Sequence, residues 1–123
     1  MAFKFENLKI WQLALELSGE VSDMVKLFPK DELYSLTNQL RRSASSIPAN
    51  IAEGCGKNSQ SELAHFLNIS LGSANKTEYF LLLSKDLNYL PGEKYIELDN
   101  SINGIKAMLI SLINKVRNPT PKT

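Results

Sequence analysis

Apolar residues recur along this chain by threes and fours. Ile10, Ala14, Leu17, Val21, Met24 and Phe28 form one such stripe, the spacing that keeps side chains on a single face of an α-helix. Asn7 is placed to cap it, so the pattern predicts a helix over 8–28. Pro29 stops that helix, because the residue before a proline is pushed out of the helical region. Lys30-Asp31-Glu32 restart one with acids suited to a positive N-terminal end. This second helix carries Leu33, Leu36, Leu40, Ala44, Ile47 and Ile51 as far as Gly54-Cys55-Gly56, where a left-handed glycine can close it. Ser59-Gln60-Ser61-Glu62 is a capping box. It precedes Leu63, Phe66, Leu67, Ser70, Ala74, Thr77, Leu81 and Leu87, which predicts a third helix over 60–89. Leu90-Pro91-Gly92 breaks the pattern. Tyr95, Leu98, Ile102, Ile105, Leu109, Leu112 and Val116 then alternate strictly by three and four over 93–117. No segment keeps a period of two, and the connections are short, which makes consecutive helices antiparallel neighbours. The expected fold is all-α: an antiparallel up-down-up-down four-helix bundle, one domain over 1–117 with a flexible C-terminal tail over 118–123.

The second helix contains Pro48 within its apolar stripe. A proline in a helix interior removes one backbone donor and crowds the carbonyl four residues back, at a cost of about 3 kcal/mol. The helix is therefore expected to be kinked or broken near Pro48, with the hydroxyls of Ser43, Ser45 and Ser46 available to serve the freed carbonyl of Ala44.

Composition narrows the function more than it names one. The chain has 123 residues with 14 Lys and Arg against 13 Asp and Glu, a formal net charge of +1, so no global basic field advertises nucleic acid or an anionic membrane. The single cysteine, Cys55, has no partner for an internal disulfide, and the N-terminal residues lack the apolar core of a signal peptide. The longest aliphatic and aromatic run, Tyr79–Leu83, falls far short of the ~20 residues that cross a bilayer. These features predict a soluble cytoplasmic protein with no membrane partner.

More apolar surface is present than one bundle needs. Leu8, Trp11 and Leu15 make a second sticky face on the first helix, and Tyr79–Leu83 would cover the whole circumference of the third, which implies burial all round at that level. A contiguous patch containing Trp is what interfaces favour, so self-association is expected. On the second helix, Arg42, Ser46, Ala49 and Glu53 share a line with Asn50 beside it. A solvated outer face is the plain reading. The small residues Ala44, Ala49 and Ala52, however, allow another backbone to approach, and Glu53 sits in a last turn whose dipole disfavours an acid, so it needs a partner such as Lys57, another helix or another subunit. The expected oligomer interface is Leu8, Trp11, Leu15, Ser46, Pro48, Ala49, Asn50 and Glu53. Cys55 and His65 have no third orienting group and no metal-ligand spacing with them, so no catalytic residue, cofactor or metal is expected. Arg41 and Arg42 stand beside small hydroxyl residues in a way a phosphate can use. With Lys57 they are the candidate nucleic-acid contacts.

The segments Phe5-x-x-Leu-x-x-Trp11, Phe28-Pro29, Gln39-Leu40-Arg41-Arg42-Ser43-x-x-Ser46-Ile47-Pro48-Ala49-Asn50-Ile51-Ala52-Glu53-Gly54 and Gly72-Ser73-Ala74 together resemble a family of bacterial four-helix bundle proteins associated with intervening sequences of 23S ribosomal RNA genes. The chain is also similar to the accessory protein of diversity-generating retroelements, a basic pentamer that works with a reverse transcriptase and nucleic acid. The resemblance covers nearly the whole chain. It implies a non-enzymatic homopentamer; with a monomer charge of only +1, at best a weak, salt-sensitive association with RNA is expected, and the alternative is an accessory scaffold that binds a protein partner and no nucleic acid.

Overall fold

A computed structural model describes residues 4–119. A single 3-10 turn over Phe5–Asn7 leads into four helices, α1 (Lys9–Met24), α2 (Leu36–Cys55), α3 (Gln60–Asp86) and α4 (Gly92–Arg117). Among the described residues there is no strand. Each helix packs on the next and α4 returns to α1, while neither diagonal pair is in contact; this is a four-helix bundle. Its antiparallel sense is visible in cross-helix bonds between α2 and α3, where Ser70, Ser73 and Thr77 meet Ile47, Ser46 and Ser43 in descending order. The tail expected over 118–123 lies mostly outside the described residues.

The expected apolar stripes form the core. Ala14, Leu17, Val21, Leu40, Ala44, Ile47, Ile51, Leu67, Ala74, Leu81, Leu98, Ile102, Ile105 and Leu109 are all buried. At the element ends, local chemistry moved several boundaries. α1 stops at Met24 and tightens into a 3-10 turn over Val25–Leu27 ahead of Pro29. Asn7 does not cap it, since the N-cap is Leu8 with no side-chain hydrogen bond. Lys30–Glu32 form only a 3-10 turn, and α2 begins at Leu36, which leaves Leu33 in the connection and 44% exposed rather than in the stripe. Leu87 is likewise exposed, because α3 ends at Asp86. There Asn88 adopts φ 64°, and the Tyr89 amide donates back to the Ser84 carbonyl at 2.9 Å. This is a helix-terminating motif that uses asparagine where glycine is more usual.

Of the two outcomes expected at Pro48, a kink or a break, the helix shows no break: it runs continuously from Leu36 to Cys55 with Pro48 inside it. Nor do the serine hydroxyls turn to Ala44, since Ser43 Oγ donates to the Leu40 carbonyl and Ser45 Oγ to the Arg42 carbonyl, each at 3.2 Å. Helix continuity is instead accompanied by burial, with Ile47, Pro48 and Ile51 all inside the bundle. Gly56 also differs from expectation, closing α2 at φ −86°. The glycine that the fold requires is Gly54, where an added Cβ would lie 3.0 Å from Phe66 Cβ and 3.1 Å from Leu63 Cδ1. It is there for close approach of α2 to α3, not for a left-handed turn. Ser59 behaves as expected: its Oγ accepts from the Glu62 amide at 3.0 Å and lies 3.3 Å from the Glu62 carboxylate.

Candidate functional site

The α2–α3 seam is laced with hydroxyls. Ser70 Oγ donates to the Ile47 carbonyl, Ser73 Oγ pairs with Ser46 Oγ, and Thr77 Oγ1 lies against Ser43 Oγ, each at 2.9 Å. Asn50 Nδ2 donates to both the carbonyl and the hydroxyl of Ser46 at 2.8 Å. Ser43, Ser70 and Thr77 are buried polar residues, and their bonds are what makes that burial tolerable. The inner residues of this seam were expected to be buried as part of the helical stripe of α3; what the sequence did not reveal is that they are bonded in pairs across it. The signal was present as small hydroxyl residues at 43 and 46 on α2 and at 70, 73 and 77 on α3, spaced by three and four.

The seam opens outward into a polar cleft of about 390 Å3 lined by Gln39, Arg42, Ser43, Ser46, Ser73 and Lys76. Arg42 thus meets Lys76 rather than Lys57. Lys57 lies beyond the far end of α2, about 20 Å along the axis from Arg42. Its Nζ is 3.5 Å from Glu53 and 5.1 Å from the centre of the Phe66 ring. The acid in the last turn of α2 therefore has an intrachain partner, and the expected trio Arg41, Arg42 and Lys57 does not form one patch on a single copy. Arg41 is half-buried and Arg42 exposed.

The residues expected at an oligomer interface divide by depth. Leu8 and Trp11 are half-buried against the core, with the Trp11 ring edge-on to Phe5 at 5.0 Å. Leu15 is 50% exposed. Leu13, Glu16 and Glu20 line a groove against α4, so Trp11 and Leu15, about half a helical turn away, fall on the α2 side of α1. On α2, Ala49 and Glu53 are exposed, Ser46 and Asn50 half-buried and bonded to each other, and Pro48 buried within its own protomer. The run Tyr79–Leu83 is not buried all round: Leu81 is fully buried, but Tyr79 and Leu82 are 58% and 48% exposed.

A charged cluster ties α3 to α4. Glu78 accepts from Lys106 Nζ at 2.8 Å, and the bond to that ammonium holds the Glu78 carboxyl below the usual glutamate range. Asp99 beside it is pushed up by burial and by the neighbouring Glu78 charge. Its Oδ1 has no hydrogen-bond partner, while Asn103 Nδ2 donates to Oδ2 at 3.2 Å. Cys55 is buried, and burial pushes its thiol up, away from the thiolate that nucleophilic chemistry uses. His65 is exposed, with its ring edge-on to Phe66. It lines a separate cleft of about 520 Å3 with Gln60, Ser61, Asn68 and Arg117, so the fold does not bring His65 and Cys55 together as a pair. Among the described residues no group of three His, Cys, Asp or Glu is arranged to hold a metal ion, and no helix is long and apolar enough to cross a membrane.

Comparison with known proteins agrees with the fold and the motifs. No curated protein matches the chain closely enough to count as a relative. A crystal structure from Bacteroides thetaiotaomicron, described as a protein of unknown function from the S23 ribosomal protein family, is 32% identical. The match covers 85% of this chain and 97% of that one, with a TM-score of 0.79. The model of the 23S rRNA-intervening sequence protein family matches residues 6–111, most of the chain and the whole of α2 and α3, which carry the hydroxyl seam. This chain belongs to the 23S rRNA-intervening sequence protein family.

Proposed function

We propose that this protein is a non-enzymatic helical bundle that works as a homo-oligomer, five copies in a ring, with a weak and salt-sensitive association with RNA. The observation that carries the reading is the apolar surface a single copy leaves open. Leu15 stands half exposed on the α2 side of α1, next to Trp11 and facing the side of the bundle where Ala49 and Ala52 keep α2 thin. A patch with an aromatic anchor and small neighbours suits a second helix face. Trp11, Leu15, Ala49 and Glu53 are its residues, with Ser46 and Asn50 at one edge and Leu8, beside the α1–α4 groove, at the other. The number five comes from the resemblance to the intervening-sequence bundle proteins and to the similar retroelement accessory protein. RNA contact falls to Arg41, Arg42 and Lys57, repeated by the ring. Since Lys57 already holds Glu53 and lies over Phe66, the affinity is low and independent of base sequence. Cytoplasmic location fits an rRNA-linked role.

Multi-angle light scattering tests the assembly. The expected mass is five times the 13.8 kDa of one chain, and Trp11→Ala should shift the sample toward monomer, since truncating a buried aromatic anchor costs about 2 kcal/mol or more per interface. A wild-type monomer at micromolar concentration would overturn the reading. Titration of a ribosomal RNA fragment at low and physiological salt tests the second half: binding should weaken by orders of magnitude, and Arg41→Ala/Arg42→Ala should remove it. An assembled ring that binds no RNA at low salt would favour the protein-scaffold alternative, for which the engagement of Lys57 within its own chain already speaks.

A further inference from the structure

We propose that the cleft between α2 and α3 is a binding site for one tetrahedral oxyanion of the phosphate class, gripped by Arg42 and Lys76 and seated on the Ser46–Ser73 hydroxyl pair. The cleft is about 390 Å3 and its walls are Gln39, Arg42, Ser43, Ser46, Ser73 and Lys76. Two of these are cations and none is an acid. Among the described residues neither Arg42 nor Lys76 has a carboxylate within 4.0 Å; the ion pairs of the fold use Lys26, Lys57, Lys94 and Lys106. Two cations from different helices at one polar opening repel each other unless an anion lies between them.

Proton accounting in the floor of the cleft points the same way. Ser43 Oγ donates to the Leu40 carbonyl, and Thr77 Oγ1 has the Ser73 carbonyl at 2.8 Å as acceptor. Their two protons are thereby placed. The Ser46–Ser73 pair is different. Asn50 Nδ2 donates to Ser46 Oγ at 2.8 Å, and the two hydroxyls share a single bond at 2.9 Å. A hydroxyl carries one proton, so whichever of the two donates in that bond, the other keeps a proton with no acceptor in the protein. Both residues are half-buried at the cleft. An anion there receives that proton together with the planar fork of Arg42 and the ammonium of Lys76, the donor set that phosphate oxygens take up best. The cleft exceeds the size of a bare phosphate and falls within the range of small-molecule sites, so it admits a phosphate carried on a nucleotide as well as the free ion.

The site does not depend on the assembly proposed above. Equilibrium dialysis of the full chain with labelled inorganic phosphate at constant ionic strength reads it, and light scattering on the same samples reads assembly separately. Saturable binding competed by sulfate but not by chloride is expected, with affinity lowered at least about tenfold in Arg42→Ala and again in Lys76→Ala. Lys115→Ala, a cation beside the α1–α4 groove, should leave it unchanged. Ser46→Ala/Ser73→Ala, checked for folding by circular dichroism, should weaken binding with both cations still present. A nucleoside monophosphate that binds through the same residues more tightly than phosphate would place the oxyanion on a nucleotide, and equal affinity would make it the free ion. Binding that is unsaturable, or equally strong in the Arg42 and Lys76 variants, or as much reduced in Lys115→Ala, would overturn the proposal.

Discussion

The α2–α3 and α1–α4 interfaces of this bundle are held together in different ways. Between α2 and α3 the helices approach so closely that a Cβ on Gly54 would stand 3.0 Å from Phe66 Cβ, and hydroxyl pairs at 43/77 and 46/73 with the Ser70 hydroxyl on the Ile47 carbonyl lock one helix to a fixed register on the other. Between α1 and α4 the contact is the sparsest of the four adjacent helix pairs. Grooves of about 200 and 250 Å3 open along it, walled by Leu13, Leu17, Ile105, Met108 and Leu112, and among the described residues the only polar tie is Lys94 to Glu20 at 3.5 Å, on the surface. Directional bonds specify a single arrangement, whereas interlocking aliphatic chains tolerate several. One side of the bundle is thus built to hold a shape, and the other to fill a volume.

The sharpest way to break the comparison is Gly54→Leu. Its side chain would enter space already held by Phe66 Cβ and the Leu63 backbone, and overpacking of this kind costs about 1–3 kcal/mol or more; urea denaturation should show the midpoint falling with an unchanged slope. Thr77→Val comes next. It keeps shape but removes the hydroxyl bonded to Ser43 and to the Ser73 carbonyl, for about 1–2 kcal/mol. A double-mutant cycle with Ser43→Ala should show coupling, and strict additivity would contradict a locked register. Gly104→Ala has the opposite sign. It lines the α1–α4 groove with nothing within 4 Å of a new Cβ, so helix propensity alone should raise stability by up to about 1 kcal/mol.

The smallest effect concerns pH at the α3–α4 contact. Glu78 is depressed below its ordinary 4.5 by Lys106, so its contribution is present above that value and is lost as the pH falls through its lower folded value. Asp99 is raised above its ordinary 3.8, so keeping it ionised costs stability at neutral pH, and that cost disappears as the pH falls toward 3.8. Asp99→Asn should therefore raise the thermal midpoint at pH 7 and lose its advantage near pH 4. An advantage that persisted in acid would show that packing, and not charge, was responsible.

The legible part of this fold was whatever repeats. Stripes such as Ile10, Ala14, Leu17 and Val21 carry a period that marks both the helix and its buried face, and Ser59 with Glu62 carries a local bond that marks a start. Boundaries decided by tertiary contact were less visible. Leu33 has the right spacing for the α2 stripe, but the chain between Pro29 and Leu36 follows 3-10 turns instead. Gly54 reads as a turn glycine in sequence and is a contact glycine in the fold. Pro48 reads as a kink or a break, and the helix passes through it unbroken with Ile47 and Ile51 buried on either side. In the candidate site, Arg42 was visible beside its serines, while Lys76 was not. Only the antiparallel pairing of α2 with α3 brings residues 42 and 76 to one cleft, and no spacing within either helix encodes that.

Hydrogen exchange of backbone amides in the full chain, read by peptide mass spectrometry, tests the contrast between the two sides most directly. The account predicts that segments 40–51 of α2 and 67–81 of α3 exchange last, and only through global opening. The facing segments of α1 and α4 should exchange earlier, through a partial opening that leaves the hydroxyl seam closed. Equal or slower exchange in α1 and α4 would contradict it.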